Sequence, residues 1–364
     1  MTPGLLPHHN NISVKTFYQR KNTRMTKIKT RYPGLAWLCI IFFLLTARSV
    51  LAEPGYKQYP RGEALISVQE LATLMQQQQA WDASIRRGEQ PAGKNPKLVV
   101  VAVAEPKLQY SVSGHIPGAV NIWRPDYESS EKLFGVRGEN IMSRSDFQNF
   151  LRSLGIDNDS QVVWYDHKYD STRPWWAAKF YGFDTRVLDG GIQAWKEAGL
   201  DVNRITTPSD RKPGNIVLRG GIPSFTVEAD AVWRTKDDPN WKLWDIRNQA
   251  ELEGTKRRSR RGGHIPWQDD LVTWKEFHRP DQTWKSAAEL QKVLERHGIE
   301  PADHHVFFCH SGVRTTQAIF SLYMMGFPVE HLHNFDGSWV YWGNSPYLPI
   351  VSGPAKPAQL VSAK

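Results

Sequence analysis

Two cysteines in 364 residues leave almost nothing from which to build a disulfide scaffold. One of them, Cys39, lies inside an apolar run, so Cys309 stands as the one thiol of the rest of the chain. Acidic residues are missing altogether from positions 1–52, which carry eight basic ones. With those eight set aside, 38 basic residues face 37 acidic ones, so the formal charge of +9 belongs to the N-terminal segment. The near-neutral remainder excludes a general polyanion-binding surface, and no nucleic-acid partner is expected. Long apolar runs are scarce too. The longest, Leu35 to Leu45, has eleven residues, short of the roughly 20 that span a bilayer. What the chain does have is 40% hydrophobic residues and 15 Trp, enough for two compact domains.

Residues 1–52 read as a leader with a secretory signal. Lys27, Lys29 and Arg31 precede the apolar run, and Val50-Leu51-Ala52 offers a cleavage site before Glu53. Met25 fits as the true start. A periplasmic or secreted chain follows, with no stable membrane association after cleavage. In an exported protein an odd cysteine points to a reactive thiol or an intermolecular partner; a buried Cys acting as a small hydrophobe is the other reading.

The chain repeats itself. Gly114-His115-Ile116-Pro117 recurs as Gly263-His264-Ile265-Pro266, and Gly155-Ile156 before Val162-Val163-Trp164-Tyr165 recurs as Gly298-Ile299 before Val306-Phe307-Phe308. Gly182-Phe183 recurs as Gly326-Phe327, and Asp189-Gly190 with Trp195 as Asp336-Gly337 with Trp342. Ordered matches at offsets of 143 to 149 residues make two copies of one domain. The predicted division is 53–205, a linker 206–222, 223–350 and a tail 351–364. Short apolar strands alternate with amphipathic helices opened by capping boxes at Ser67–Glu70 and Ser286–Glu289. The pattern predicts an α/β fold in which each copy has a mostly parallel central sheet flanked by helices. Ligands of such sheets gather at the carboxyl ends of strands.

Cys309 sits at such an end. Cys309-His310-Ser311-Gly312-Val313-Arg314 bridges the strand ending at Phe308 and a helix beginning near Thr315. A tight turn into a helix aims several backbone N–H groups at one point and stabilises negative charge. A thiolate there gains from the helix dipole and from Arg314, which raises its nucleophilicity at neutral pH. Gly312 supplies the backbone freedom of the turn. The first copy has Asp166 at the equivalent place, with no thiol and no glycine following it, so one copy is chemically armed and the other is not.

These residues resemble those of the tandem-domain rhodaneses, the thiosulfate and 3-mercaptopyruvate sulfurtransferases, exported members above all. The likeness rests on Ser113 to Ala119, Leu188-Asp189-Gly190-Gly191, Trp244-Asp245-Ile246-Arg247, Gly263 to Pro266, the Cys309–Arg314 loop and Asp336-Gly337-Ser338-Trp339. It implies two tandem rhodanese-like domains, the first inactive, and transfer of a sulfane sulfur through a Cys309 persulfide. The donor is a small anion, thiosulfate or 3-mercaptopyruvate, and the acceptor is cyanide, a thiol or a protein thiol. His310, Ser311, Gly312, Val313 and Arg314 then form the substrate-binding loop. Asp245, Arg247 and His115 are candidate supporting residues. His310-Ser311-Gly312 is nearer to the mercaptopyruvate type, and Gln193 stands where relatives place a substrate-binding Arg.

The same residues bear on other chemistries. A rhodanese-fold phosphatase spaces its Cys and Arg by five residues, whereas four separate Cys309 from Arg314, so sulfur fits better than phosphate. A sulfur carrier without small-molecule turnover needs the same activated thiol. His304, His305, His310, His331 and His333 cluster near Cys309 in sequence, yet no ligand-pair motif flanks the thiol; neither a metal nor another cofactor is expected. Lys256-Arg257-Arg258-Ser259-Arg260-Arg261 reads as a solvated loop or an electrostatic funnel leading into Gly263-His264.

Overall fold

The computed structural model describes residues 58–133, 136–137, 140–205 and 211–354. The leader and its cleavage site lie outside them, as do much of the linker's start and most of the tail.

The first copy runs β1 (Leu65–Ile66), α1 (Val68–Arg86), β2 (Leu98–Val103), β3 (Val120–Ile122), α2 (Arg124–Tyr127), β4 (Lys132–Leu133), β5 (Val136–Arg137), α3 (Arg144–Ser153), β6 (Gln161–Asp166), α4 (Thr172–Phe180), β7 (Arg186–Leu188) and α5 (Gly191–Glu197). The second runs β8 (Thr226–Val227), α6 (Ala229–Asp237), β9 (Trp241–Asp245), α7 (Gln249–Leu252), β10 (Asp270–Leu271), α8 (Ala287–His297), β11 (His304–Phe308), α9 (Thr315–Met324), β12 (Leu332–Phe335) and α10 (Ser338–Trp342). Each copy holds a five-stranded parallel sheet, ordered β1-β7-β6-β2-β3 and β8-β12-β11-β9-β10. The two orders superpose strand for strand, as the repeat predicts.

Sheets covered on both faces need strands apolar throughout, and all six residues of β2 are buried. Capping fixes the helices. Ser67 accepts a hydrogen bond from the Glu70 N–H, and Ser286 with Glu289 closes a reciprocal box at the start of α8. Gly298 ends α8 in the left-handed region at φ +67°.

One apolar cluster joins the copies, running from Val101 and Trp164 through Trp175 to Phe320 and Leu322. Helices α4 and α9 meet there. Trp175 stands edge-on to Phe320 at 4.6 Å and to Tyr323 at 5.1 Å, and the hydroxyls of Thr172 and Thr316 bond at 2.8 Å. These helices follow Asp166 and Cys309 respectively, so packing them together brings both strand-end loops to the domain interface.

Candidate active site

Cys309 follows the last residue of β11 and is 1% exposed. Its carbonyl accepts from the Trp339 N–H at 3.1 Å, and the His310 carbonyl from the Val340 N–H at 2.8 Å. The Cys309 N–H donates to Ser338 Oγ at 3.1 Å. Two adjacent peptides of the loop are thus clamped by the first turn of α10. Ser338 adopts φ +45°, a costly conformation for a residue with a Cβ, and is fully buried.

Gly312 turns the loop at φ +71°. A Cβ there would stand 2.5 Å from Asp336 Oδ1 and 2.8 Å from the Asp336 carbonyl oxygen, so no larger residue fits. Ser311 and Val313 are buried with it. The backbone N–H groups of His310 through Arg314 have no hydrogen-bond partner among the described residues. They form the unspent donor set that a loop built to hold an anion requires.

Arg314 is held by both carboxylate oxygens of Glu251, at 2.7 and 3.0 Å, with both residues buried, while its charge also interacts with Cys309. Burial lowers the Arg314 guanidinium, and Glu251 more than reverses that, so it stays above its usual range. Burial raises the Glu251 carboxyl, but the Arg314 contact leaves it below the usual carboxylate range. The pair carries no net charge. Burial also pushes the His310 imidazole down to about 3, with Arg258 adding to the shift, so His310 is neutral. Its Nδ1 is buried and without a partner.

Asp245 and Arg247 form the expected pair. Arg247 Nε and Nη2 reach the carboxylate at 2.9 and 2.7 Å. Nη2 also donates to the Gly263 carbonyl, and the guanidinium lies 4.3 Å over Trp339. At 2% exposed, Arg247 braces α10 from beneath. His115 is not brought to the loop. Its ring stacks on Tyr110 and its Nδ1 donates to the Tyr110 carbonyl at 3.0 Å, while its backbone pairs with Asn203. His264 repeats this arrangement with Leu252 and Val351, which makes it a structural lock of both copies. His304 and His333 stack on Trp241 at the far end of β11 from Cys309.

The first copy contributes a wall. Arg173 of α4, 1% exposed, forms an ion pair with Asp336 and donates to the Gly312 carbonyl at 3.3 Å. Sequence reasoning missed Arg173, Glu251 and Ser338. The signal available was divergence between the copies: the repeat puts Thr316 opposite Arg173 and Gly191 opposite Ser338. The disarmed loop shows what the fold does with its donors. There the Asp166 carboxylate accepts from the N–H groups of Lys168 at 3.0 Å and Ser171 at 2.7 Å. Burial raises this carboxyl, and those N–H groups oppose the rise. The equivalent turn of the first copy therefore already aims two backbone N–H groups at the side chain in the Cys309 position.

A rhodanese-like domain matches residues 91–198 and again 228–345. The chain belongs to the tandem rhodanese sulfurtransferase family. It is 32% identical to the "Sulfur carrier protein TtuD" of Thermus thermophilus over 281 residues, covering 71% of this chain and 93% of that one. It is 30% identical to a thiosulfate sulfurtransferase of Corynebacterium glutamicum over 319 residues, 82% and 94% of the two chains. The crystal structure of YnjE superposes with a TM-score of 0.64 at 26% identity, covering 81% of this rhodanese chain and 70% of its own. An anaerobic ergothioneine biosynthesis enzyme from Chlorobium limicola shares the fold, with a TM-score of 0.65 at 24% identity over 81% and 72% of the chains.

Proposed function

We propose that Cys309 is the nucleophile of this sulfurtransferase. Its thiolate attacks the outer sulfur of a small anionic donor, the S–S or C–S bond of the donor breaks, and the electron pair leaves with sulfite or pyruvate. The sulfur stays on Cys309 as a persulfide, cradled by the N–H groups of His310 to Arg314. A thiol or cyanide then takes the outer sulfur and returns the thiolate.

The observation that carries this reading is the loop itself, a buried thiol at the foot of five unspent donors. Thiosulfate and 3-mercaptopyruvate are the donors proposed. A carrier that holds the sulfur for a partner uses the same loop, and the relative named a sulfur carrier protein favours keeping that reading. The leader is proposed to direct the chain out of the cytoplasm, with N-terminal sequencing of the secreted form expected to begin at Glu53.

Intact mass spectrometry after exposure to each donor tests the core of the proposal. One added sulfur on the wild type, removable by cyanide and absent from Cys309→Ser, is expected. A variant that still gains sulfur would overturn it.

A further inference from the structure

The basic run divides in two. Arg261 turns inward: Nη1 donates to the Leu348 carbonyl at 2.7 Å, Nη2 to the Trp342 carbonyl at 3.0 Å, and the Trp339 indole donates back to the Arg261 carbonyl. The Arg260 N–H bonds Asn344, and Ser259 Oγ donates to the Trp339 carbonyl at 3.2 Å. Trp339 is the residue whose own N–H holds the Cys309 carbonyl. The run is therefore pinned onto the helix that clamps the thiol. Lys256, Arg257 and Arg258 are exposed. Arg258 lies 3.7 Å from Glu251, and its charge acts on His310. Lys256 and Arg257 have no acidic partner among the described residues.

Charge nearer the sulfur is compensated, Arg314 by Glu251 and Arg247 by Asp245. The uncompensated cations, Lys256 and Arg257, stand at the rim beside Arg258, which Glu251 partly offsets at 3.7 Å. Three consecutive residues span about 7 Å between their outer Cα atoms, wider than a small inorganic anion. A rim charge of this kind steers and orients a larger partner more than it binds the reacting group.

We propose that Lys256, Arg257 and Arg258 dock an acidic, thiol-bearing protein segment that takes the sulfur from Cys309. The proposal rests on the persulfide reading above. The partner's thiolate attacks the outer sulfur of the protonated persulfide. The Cys309 S–S bond breaks and its electron pair returns to Sγ as thiolate, while the partner leaves as the persulfide.

The test uses the loaded full-length protein and short cysteine peptides flanked by Asp and Glu, by Ser, or by Lys, with dithiothreitol as an uncharged acceptor. The acidic peptide is expected to accept sulfur about tenfold faster than the Ser peptide at low ionic strength. That advantage should shrink toward parity in 0.5 M salt. The variant K256E/R257E should reverse the peptide order and leave the dithiothreitol rate unchanged. Should that variant melt early, K256A/R257A should still erase the advantage. Equal peptide rates, an order unaltered by either variant, or equally strong inhibition by a DNA oligonucleotide of matched charge would each overturn the docking proposal. A chain that never loads sulfur overturns the persulfide reading as well, and loading is measured before any acceptor is added.

Discussion

Asp189 and Asp336 hold the same place in the two repeats, and each accepts a hydrogen bond from a backbone N–H of the other copy. Asp189 takes it from Trp284 at 2.9 Å and Asp336 from Ile141 at 2.7 Å. Trp284 and Ile141 are themselves repeat equivalents, so one contact is the pseudo-twofold image of the other. What differs is charge. Asp336 has Arg173 as a buried counter-ion, whereas Asp189 has none in contact among the described residues, and burial pushes its carboxyl up to about 6.

Opposite outcomes are expected from the same substitution at the two sites. A carboxyl raised to about 6 favours folding below its unfolded value near 4, and that contribution is lost as pH rises through 6. Asp189→Asn should therefore stabilise the fold by about 1–2 kcal/mol at pH 8 and by nothing measurable at pH 4. Asp336→Asn strands the Arg173 charge and should cost about 3 kcal/mol at pH 8. Denaturant midpoints of both variants at the two pH values decide it; equal effects would refute the charge argument.

Ser338 separates strain from hydrogen bonding. Ser338→Ala keeps the left-handed backbone and removes the acceptor of the Cys309 N–H, at a cost of about 1–3 kcal/mol. Ser338→Gly loses the same bond yet relieves roughly 1 kcal/mol of strain, and so should melt above the Ala variant. Sulfur loading should slow on the order of tenfold in both, through a misplaced loop. A Gly variant no more stable than the Ala one would remove strain from the account.

Glu251 and Arg314 are expected to behave as a unit. Glu251→Met or Arg314→Met alone leaves one buried charge and should cost about 3–5 kcal/mol. The double substitution should recover most of that loss, giving a coupling energy above 1 kcal/mol in a double-mutant cycle. Additive losses would mean the two groups are independent. Loading of thiosulfate should survive best in the double variant, because the neutral pair is replaced by a neutral pair.

A pH signature lies away from the loop. His297 bridges Asp270 at 2.6 Å and Glu276 at 2.9 Å. Burial lowers its imidazole, but these two carboxylates raise it to about 9 overall. A histidine raised this way contributes fully below its unfolded value of 6.5, and the contribution is lost as pH rises through 9. His297→Gln should thus cost about 2–3 kcal/mol at pH 6 and little at pH 10. A pH-independent loss would contradict the assignment.

The fold was legible because two copies report on each other. Strand ends, the glycine at Gly298 and the caps at Ser67 and Ser286 follow from local rules, and Gly298 and Ser286 have counterparts in Gly155 and Ser143 at a fixed offset. The loop from Cys309 to Arg314 was legible as well, since Gly312 and the strand-to-helix turn leave few conformations. Partnerships were not. Nothing local in Arg314 tells that Glu251, 63 positions away, would neutralise it, and His115 beside Pro117 looks the same whether it faces a substrate or stacks on Tyr110. Arg173 reaches Gly312 only because α4 and α9 pack across the interface, a long-range outcome that no periodicity encodes.

That interface has the grammar of a dimer. Asp189 to Trp284 and Asp336 to Ile141 are the reciprocal pair of contacts that identical subunits make across a twofold axis. Joined in one chain, the halves no longer have to match. One is free to surrender its thiol, as Asp166 marks, provided it keeps its side of the handshake. Selection then acts on the first half through Arg173 and Asp189 and on the second through Cys309, so the two copies are expected to drift apart in chemistry far faster than in shape.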